Sequence, residues 1–304
     1  MVISIGTTGA ETLQGGAGAD IVLGLGGDDL LLGRDGNDVI IAGKGNDTIA
    51  GDNYPIQPFD PANEPGFGPG PAAQGGTPGN NLIWAGSGDD NIYAGFGADT
   101  VRGGPGNDTI RGYGTFGGSP SGSGVVNAAD GPDRLFGGAG DDVIYGAGGN
   151  DRLSGGEGAD TLVGGVGADR LVGGHGPDVF LFGRSVEPFS FTLSLDTGIG
   201  PGRRDIVLDF HQGEDRLDLS HYWNFAGLPG AVTPVFIGTE PFQAIFAPQI
   251  RYEIEGDRTI VQFTAPLGSP APDASPEVPA GPSGEIELVG IHCLAATDFI
   301  LTIA

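Results

Sequence analysis

Acidic side chains recur every nine residues through much of this sequence. Read from Gly6, the recurring phrase is G-G-x-G-x-D-x-U-x, in which U is a large apolar residue and the acid takes the sixth place. The phrase runs without a slip from Gly6 to Ala50, then from Gly76 to Arg111, and again from Ala128 to Leu181, which makes fifteen repeats. A fixed period of this kind is the mark of a repeat architecture.

The chemistry available to these acids is the binding of a hard cation. If two repeats complete one coil, acids two repeats apart stack at about 4.8 Å, and bare carboxylates at that spacing repel. Ca²⁺ takes about six to eight oxygens, which glycine carbonyls and carboxylates of successive coils can supply, whereas Mg²⁺ demands a tighter octahedron and Zn²⁺ or copper are poorly served by oxygen alone. The predicted calcium ligands are Asp20, Asp29, Asp38, Asp47, Asp90, Asp99, Asp108, Asp133, Asp142, Asp151, Asp160, Asp169 and Asp178.

The alternation of repeats sorts the acids onto two edges. The first edge carries Glu11, Asp29, Asp47, Asp90, Asp108, Asp142, Asp160 and Asp178. The second edge carries Asp20, Asp38, Asn81, Asp99, Asp133, Asp151 and Asp169. Six neighbouring Asp–Asp pairs on the first edge and four on the second predict ten Ca²⁺ ions, or +20 against the net charge of −26.

The remaining places of the phrase predict how the acids are positioned. Six residues of turn and three of strand reverse the chain every nine residues, and only the middle strand residue points inward. That residue is reliably Val, Leu or Ile, so we predict an all-β fold with a thin apolar column as its core. The 61 glycines and 23 prolines would by themselves suggest disorder, but their regular spacing outranks composition.

The nine-residue phrase resembles the repeat of RTX, or hemolysin-type, calcium-binding proteins over about residues 6 to 181. The resemblance implies a right-handed parallel β-roll in which each aspartate bridges calcium ions between turns on the same edge.

Two stretches, 51–75 and 112–127, interrupt the phrase and are interpreted as enlarged turns of one continuous roll. Both enter even-numbered repeats and should leave the same edge, roughly 10 Å apart. Their aromatic residues either form a shared surface for an extracellular glycan or cover the roll and bind nothing. These residues are Tyr54, Phe59, Phe67, Tyr113 and Phe116. We also expect a weaker calcium ladder near Asn81.

The remainder of the chain, 182–304, is predicted to be a β domain that caps the roll of residues 1–181 and contains a secretion signal. Its predicted strands are Ile250–Ile254, Thr259–Phe263 and Ile286–Val289, with a loop over Pro266–Ser283. The acids and apolar residues of 205–220 are similar to the C-terminal region of serralysin-type proteases and other type I secretion substrates. That resemblance implies type I secretion machinery as a partner, an uncleaved signal matching Asp298–Leu301, and a secreted or cell-surface location.

Charge and composition disfavour several other functions. An excess of 39 acids over 13 bases disfavours nucleic acid, other polyanions and anionic membranes as partners. No apolar run approaches the ~20 residues that span a bilayer, and the first residues lack the pattern of a cleaved signal peptide. Cys293 is the single cysteine, which excludes an internal disulfide, and we expect it to be buried after an apolar strand.

No catalytic constellation is recognisable, so we expect a non-enzymatic protein. The sequence contains no His-Glu-x-x-His and no Gly-x-Ser-x-Gly, and its histidines, at 175, 211, 221 and 292, are scattered. The leading hypothesis is a secreted calcium-binding β-roll that acts as a structural, adhesive or surface-layer component. The alternatives are an export and stabilising module of a secreted protease, lipase or epimerase, or a glycan-binding protein; self-assembly stays open.

Overall fold

The computed structural model describes residues 1–52, 79–112, 131–186, 193–195, 197–220, 234–243, 247–264 and 282–301. The five aromatic residues of the two predicted enlarged turns, His221 and nearly all of the proline-rich stretch after Thr264 lie outside these ranges. The predictions made for them therefore stay predictions.

Short strands separated by glycine turns make up the repeat region, as the nine-residue period predicts. Strands β1 to β16 are, in order, Ile3–Ile5, Thr12–Gln14, Ile21–Leu23, Leu30–Leu32, Val39–Lys44, Thr48–Ala50, Leu82–Ser87, Asn91–Tyr93, Thr100–Pro105, Thr109–Arg111, Arg134–Ala139, Val143–Gly148, Arg152–Glu157, Thr161–Val166, Arg170–His175 and Val179–Leu181.

The described residues after the repeats add further strands and a short 3-10 helix at Ala296–Asp298. Strands β17 to β25 are Arg184–Val186, Leu193–Leu195, Asp205–Val207, Arg216–Asp218, Val235–Phe236, Gln249–Glu255, Arg258–Phe263, Gly284–Val289 and Phe299–Ile300. Three of these contain the predicted strands at 250–254, 259–263 and 286–289.

Odd and even repeat strands form two separate parallel sheets. The first sheet has the order β1-β3-β5-β7-β9-β11-β13-β15-β19-β24-β23-β22-β21, and the second has β2-β4-β6-β8-β10-β12-β14-β16-β20-β25. Each repeat strand thus pairs with the strand two repeats later, and successive strands alternate between the sheets. The prediction of an all-β parallel roll is confirmed.

Pairing across the two interruptions keeps the same register. Ordinary coils pair residues 18 apart, as in Val22 with Ile40, whereas Ile40 pairs with Ile83 and Val101 with Leu135. These offsets of 43 and 34 exceed 18 by 25 and 16 residues. Both interruptions follow a strand of the second sheet and precede one of the first, so they leave the roll at the same edge, two coils apart.

The core of the repeat region is a column formed by the second residue of each strand from β3 to β16. In these residues almost no side-chain surface is exposed, because the two neighbours of each along the strand point to the opposite face. Some of the six-residue strands bury a small residue beside the column as well, such as Ala42 in β5. The column comprises Val22, Leu31, Ile40, Ile49, Ile83, Ile92, Val101, Ile110, Leu135, Ile144, Leu153, Leu162, Leu171 and Phe180.

Both sheets continue past residue 181. Strand β19 pairs with β15 and strand β20 with β16, each in parallel, and Val207 and Leu217 extend the apolar column. The division predicted at residue 181 stays a prediction, but it is not the end of either sheet. Beyond β19 the first sheet turns antiparallel through β24, β23 and β22.

The buried side chain of Arg204 forms ion pairs with three glutamates of this C-terminal part. The Arg204 guanidinium lies 3.1 Å from a Glu287 carboxylate oxygen, 3.3 Å from Glu285 and 3.4 Å from Glu255. Because Arg204, Glu285 and Glu287 are all buried, removing one partner would leave an uncompensated charge.

The structure corrects one expectation about a single residue. Cys293 is exposed, so the expectation of a buried thiol was wrong. Strand β24 ends at Val289 and the chain turns at Gly290 with φ +106°, which puts Cys293 outside the packed strand. Across the described ranges, no helix is both long and apolar enough to traverse a bilayer.

Candidate metal site

A ladder of hydrogen bonds joins the sixth-place acids along each edge. On the first edge, the backbone N–H of each acid donates to Oδ1 of the aspartate one coil later, from Glu11 through to Asp215, at 2.7–3.0 Å. On the second edge the same bonds run from Asp20 to Asp205 at 2.6–2.9 Å. The structure therefore brings the thirteen predicted ligands together in two rows, one on each edge.

The second oxygen of these carboxylates has no protein donor in eight of the predicted ligands. Their Oδ2 atoms are buried without any hydrogen-bond partner, which costs free energy unless a cation or a proton compensates. The eight residues are Asp29, Asp38, Asp47, Asp90, Asp108, Asp142, Asp160 and Asp178.

Backbone carbonyls converge on the same oxygens. A Cβ built on Gly137, the first residue of its repeat, would lie 2.1 Å from Asp142 Oδ2 and 2.8 Å from the carbonyl oxygen of Gly155. A Cβ on Gly24 would likewise lie 2.5 Å from Asp29 Oδ2 and 2.6 Å from the oxygen of Ala42. Two acceptor oxygens thus face one another beside a glycine that leaves the space between coils open.

Burial and neighbouring carboxylates raise the pKa of several of these aspartates, so that they ionise less readily without a cation. Burial raises the pKa of Asp142 to about 7; the N–H of Asp108 opposes the shift, whereas the carboxylates of Asp108 and Asp160 add to it. Burial likewise raises the pKa of Asp90 and Asp178 to about 7 and of Asp38 and Asp108 to about 6.

This donor set fits Ca²⁺. It consists of carboxylate pairs plus backbone carbonyls, all of them oxygen, and it repeats once per coil. Within the described ranges no three His, Cys, Asp or Glu side chains converge on one point, so carbonyls would have to complete the coordination. When bound, Ca²⁺ would supply the positive charge that these facing oxygens lack.

The first predicted ligand of the second edge differs from the other members. Asp20 Oδ2 accepts from the N–H of Gly16 at 2.5 Å, and its Oδ1 accepts from the N–H of Val2. These hydrogen bonds, of which the one from Gly16 has the largest effect, hold the pKa of the Asp20 carboxyl below its ordinary value. Its carboxylate is therefore already stabilised by protein groups.

Two ladder members after the repeats were missed by the sequence interpretation. Asp205 Oδ1 accepts from the N–H of Asp169 at 2.9 Å, and Asp215 Oδ1 accepts from the N–H of Asp178 at 3.0 Å. The signal was present, because both begin an acid-x-apolar triplet like places six to eight of the phrase. Asp215 ends the first edge, since its Oδ2 accepts from the N–H of His211 at 2.7 Å.

A second, exposed ladder at the fifth place was also missed. On the first edge the Oδ1 atoms of five consecutive fifth-place residues each accept from the fifth-place N–H one coil later, at 2.8–3.0 Å. The accepting side chains alternate in charge along the edge and are Asp28, Asn46, Asp89, Asn107 and Asp141. The alternation keeps like charges two coils apart.

Asn81 closes its coil without a cation. Its Nδ2 donates to the carbonyl oxygen of Ala94 at 3.1 Å and to Asp52 Oδ1 at 3.4 Å, where other coils present a bare carboxylate oxygen. Asp52 also accepts from the N–H of Phe96 at 2.8 Å and of Gly79 at 3.2 Å. The side-chain amide of Asn81 thus donates to oxygens of the kind that a metal ion would compensate in the other coils.

The fold and this site define a class of protein: a parallel β-roll whose edges present paired carboxylates to hard cations. The family model of the RTX calcium-binding nonapeptide repeat (4 copies) matches residues 5–40, 23–53, 75–111, 121–153 and 154–184. The chain belongs to this family through those residues, and its repeats are calcium-binding repeats. The resemblance drawn from the nine-residue phrase is confirmed.

Solved structures that match the chain include parts of an epimerase and a lipase. The AlgE6R3 subunit of the Azotobacter vinelandii mannuronan C5-epimerase is 28% identical with a TM-score of 0.33, over 62% of this chain and 84% of that one. The extracellular lipase LipA from Serratia marcescens is 18% identical with a TM-score of 0.27, over 95% of this chain and 40% of that one. No curated protein matches the chain significantly.

Replacing Asp142 with Asn should lower the number of bound calcium ions by up to two. Asp142 stands between Asp108 and Asp160 in the ladder, so two predicted sites share its carboxylate. Asn retains an oxygen for the N–H of Asp108, as Asn81 does for Asp38, but removes the charged Oδ2. Metal analysis of desalted protein measures the count.

Asp141→Asn is the matched control, because it removes the same charge one residue away. Asp141 is exposed and uses only Oδ1 in the fifth-place ladder, where asparagine already serves in other coils. Equal losses of calcium in the two variants would contradict the site.

Replacing Asn81 with Asp should create calcium binding where the second edge is now interrupted. The variant places a carboxylate oxygen opposite the carbonyl of Ala94, restoring the arrangement of the other coils. We expect at least one additional bound ion, and a less stable ion-free chain because the new charge lies beside Asp52. Asn80→Asp, at the exposed fifth place, should leave the count unchanged; an unchanged count in both variants would show that the interruption has another cause.

The pH dependence of folding should reverse sign when calcium is added. A carboxyl whose pKa is raised by folding favours the folded chain at low pH, and this advantage disappears as pH rises from 3.8 to about 7. The ion-free chain should therefore contain more β structure at pH 5 than at pH 8, whereas calcium, which competes with protons, should bind more tightly at pH 8. Circular dichroism and calcium titration at both pH values measure these effects, and ion-free folding that improves with pH would contradict them.

Proposed function

We propose that this protein is secreted, folds on extracellular Ca²⁺ and acts outside the cell as a non-enzymatic structural, adhesive or surface-layer component. The observation that carries the proposal is the row of buried aspartate Oδ2 atoms without donors. Each is a site that only a cation or a proton can satisfy, and the coil-by-coil repetition makes the whole roll depend on them.

The free energy of calcium binding determines how strongly folding depends on calcium. A site at 100 times its dissociation constant contributes about 2.7 kcal/mol to the folded state, and several sites act together. Low calcium inside the cell would leave the carboxylates facing one another at the strand spacing. Roughly ten ions, the number expected from the Asp–Asp pairs, would offset most of the net charge of −26.

The C-terminal residues fit an order in which export precedes folding. The segment matching a type I secretion signal includes Asp298, which is buried, and Phe299, which pairs with Leu217 at the end of the second sheet. A receptor could read this segment only while the strand is undocked. The docked strand therefore supports a chain that is exported unfolded and completed outside.

The non-enzymatic part of the proposal rests on the contacts that histidines and acids make in the described residues. His292 packs edge-on against Phe210 with ring centroids 5.5 Å apart, and exposed His211 contacts the ladder acid Asp215 through its backbone and, at 3.6 Å, its ring. The sixth-place acids serve the ladder. An export or stabilising module of a secreted enzyme is the alternative, and a catalytic partner encoded beside this chain would favour it.

Calcium should convert the full chain from unfolded to folded. Metal-free protein should show little β signal by circular dichroism, Ca²⁺ should restore it cooperatively, and an equal concentration of Mg²⁺ should not, because its tighter octahedron does not suit these ligands. Light scattering in the same titration reports self-association. A complete β-roll in the presence of chelator would refute the proposal.

A further inference from the structure

Basic residues on the roll are concentrated on one face. Of the five within residues 79 to 181, four lie on the first sheet, one on each of the consecutive strands β9, β11, β13 and β15. We call these four the arginine row: Arg102, Arg134, Arg152 and Arg170.

The register places three members of the row directly opposite one another. Arg134 pairs with Arg152, and Arg152 pairs with Arg170, so successive backbone positions are separated by the strand spacing of about 4.8 Å. Each precedes a buried residue of the apolar column and is itself exposed, which puts the row on the outer face. Like charges directly opposite on neighbouring strands are destabilising.

The arginine row has no ion-pair partner in the described part of the chain. None of its four members forms an ion pair with a carboxylate of the described residues. The buried aspartates immediately before three of the arginines do not explain them, because the first-edge ladder is built equally well with Val143, Thr161 and Val179 at the corresponding place.

Aromatic side chains extend the same face. Arg102 lies between Trp84 and Phe136 in register, and its guanidinium sits 5.3 Å from the Phe136 ring centroid. Both rings are partly exposed. The face therefore combines a line of guanidinium groups with flat apolar surface, whereas the corresponding strands of the second sheet carry only Arg111, which stacks between Tyr93 and Tyr145.

We propose that the arginine row binds a linear acidic polysaccharide that carries one carboxylate on each sugar unit. Guanidinium groups pair with carboxylates through two parallel hydrogen bonds, and a polymer lying across the strands can present charges at a matching spacing. Apolar sugar faces can pack on the exposed rings. The extracellular location of the proposed function makes such a polymer the fitting polyanion.

Binding should require calcium, although the net charge of −26 opposes polyanions. The negative charges lie mainly on the two edges, so cations held there remove most of the opposing potential while the face stays positive. The inference thus rests on the proposed function in one respect, that the roll is folded and loaded. Folding is measured first: a chain that does not fold with calcium refutes the proposed function, and a folded chain that does not bind refutes only this inference.

The test is calorimetric titration of the calcium-loaded full chain with a short oligogalacturonate. Binding should weaken with added salt, because the contacts are exposed ion pairs. A neutral oligosaccharide of equal length should bind far more weakly. The combined variant Arg134→Gln, Arg152→Gln, Arg170→Gln should lose roughly tenfold or more in affinity, since each exposed ion pair contributes modestly.

The matched control removes three positive charges outside the first sheet: Arg34→Gln, Arg111→Gln, Arg216→Gln. It should retain the affinity of the unaltered chain, and both variants should fold with calcium. The inference is overturned by no binding of the unaltered chain, by equal losses in the two variants, by tighter binding of duplex DNA, or by a dimer that only the arginine-row variant loses.

Discussion

The roll depends on one type of hydrogen bond that is repeated from coil to coil. In each, the backbone N–H of a sixth-place acid donates to Oδ1 of the acid one coil later. This bond fixes each carboxylate so that its other oxygen is buried beside a glycine and a backbone carbonyl. The arrangement is unfavourable for a bare protein, since it combines burial with repulsion between neighbouring carboxylates. It becomes favourable when a cation joins the coils, which makes metal and fold one thermodynamic problem.

The two edges differ in how their buried carboxylate oxygens are compensated. The first edge runs from Glu11 to Asp215 with a carboxylate in every coil. The second edge is interrupted where Asn81 and Asp52 satisfy one another, next to the larger interruption of the repeat. A coil can therefore be closed either by a metal ion or by an amide donor, and the chain uses the amide next to the longest interruption of the repeat.

Much of this structure could be predicted from the sequence because each repeat restates the same rule. The period gave the two edges, the apolar column and the positions of the thirteen aspartates. The period does not determine which carboxylate oxygen meets a backbone N–H, so the fifth-place ladder and the closure at Asn81 are visible only in the structure. Asp205 and Asp215 were missed because the phrase around them is incomplete: Asp205 keeps only the first-place glycine, Gly200, and Asp215 only the fourth-place glycine, Gly213. Cys293 was misplaced because a strand end depends on one glycine, Gly290.

Net charge was the least informative property for predicting partners. It averages buried edge acids, which cations neutralise, with exposed bases that occupy a different face. The register separates the two, since places six and seven of the same repeat, such as Asp151 and Arg152, are consecutive in the chain but lie on the buried edge and on the exposed face.

The alternation of strands between the sheets also restricts how such a chain can change length. Insertions between two strands need not be multiples of nine residues, as the offsets of 43 and 34 show. Gain of a single nine-residue unit would instead transfer every later strand to the opposite sheet, breaking up the arginine row or moving it across the molecule. Duplication in this lineage is therefore expected to proceed in steps of two units, which preserve both faces.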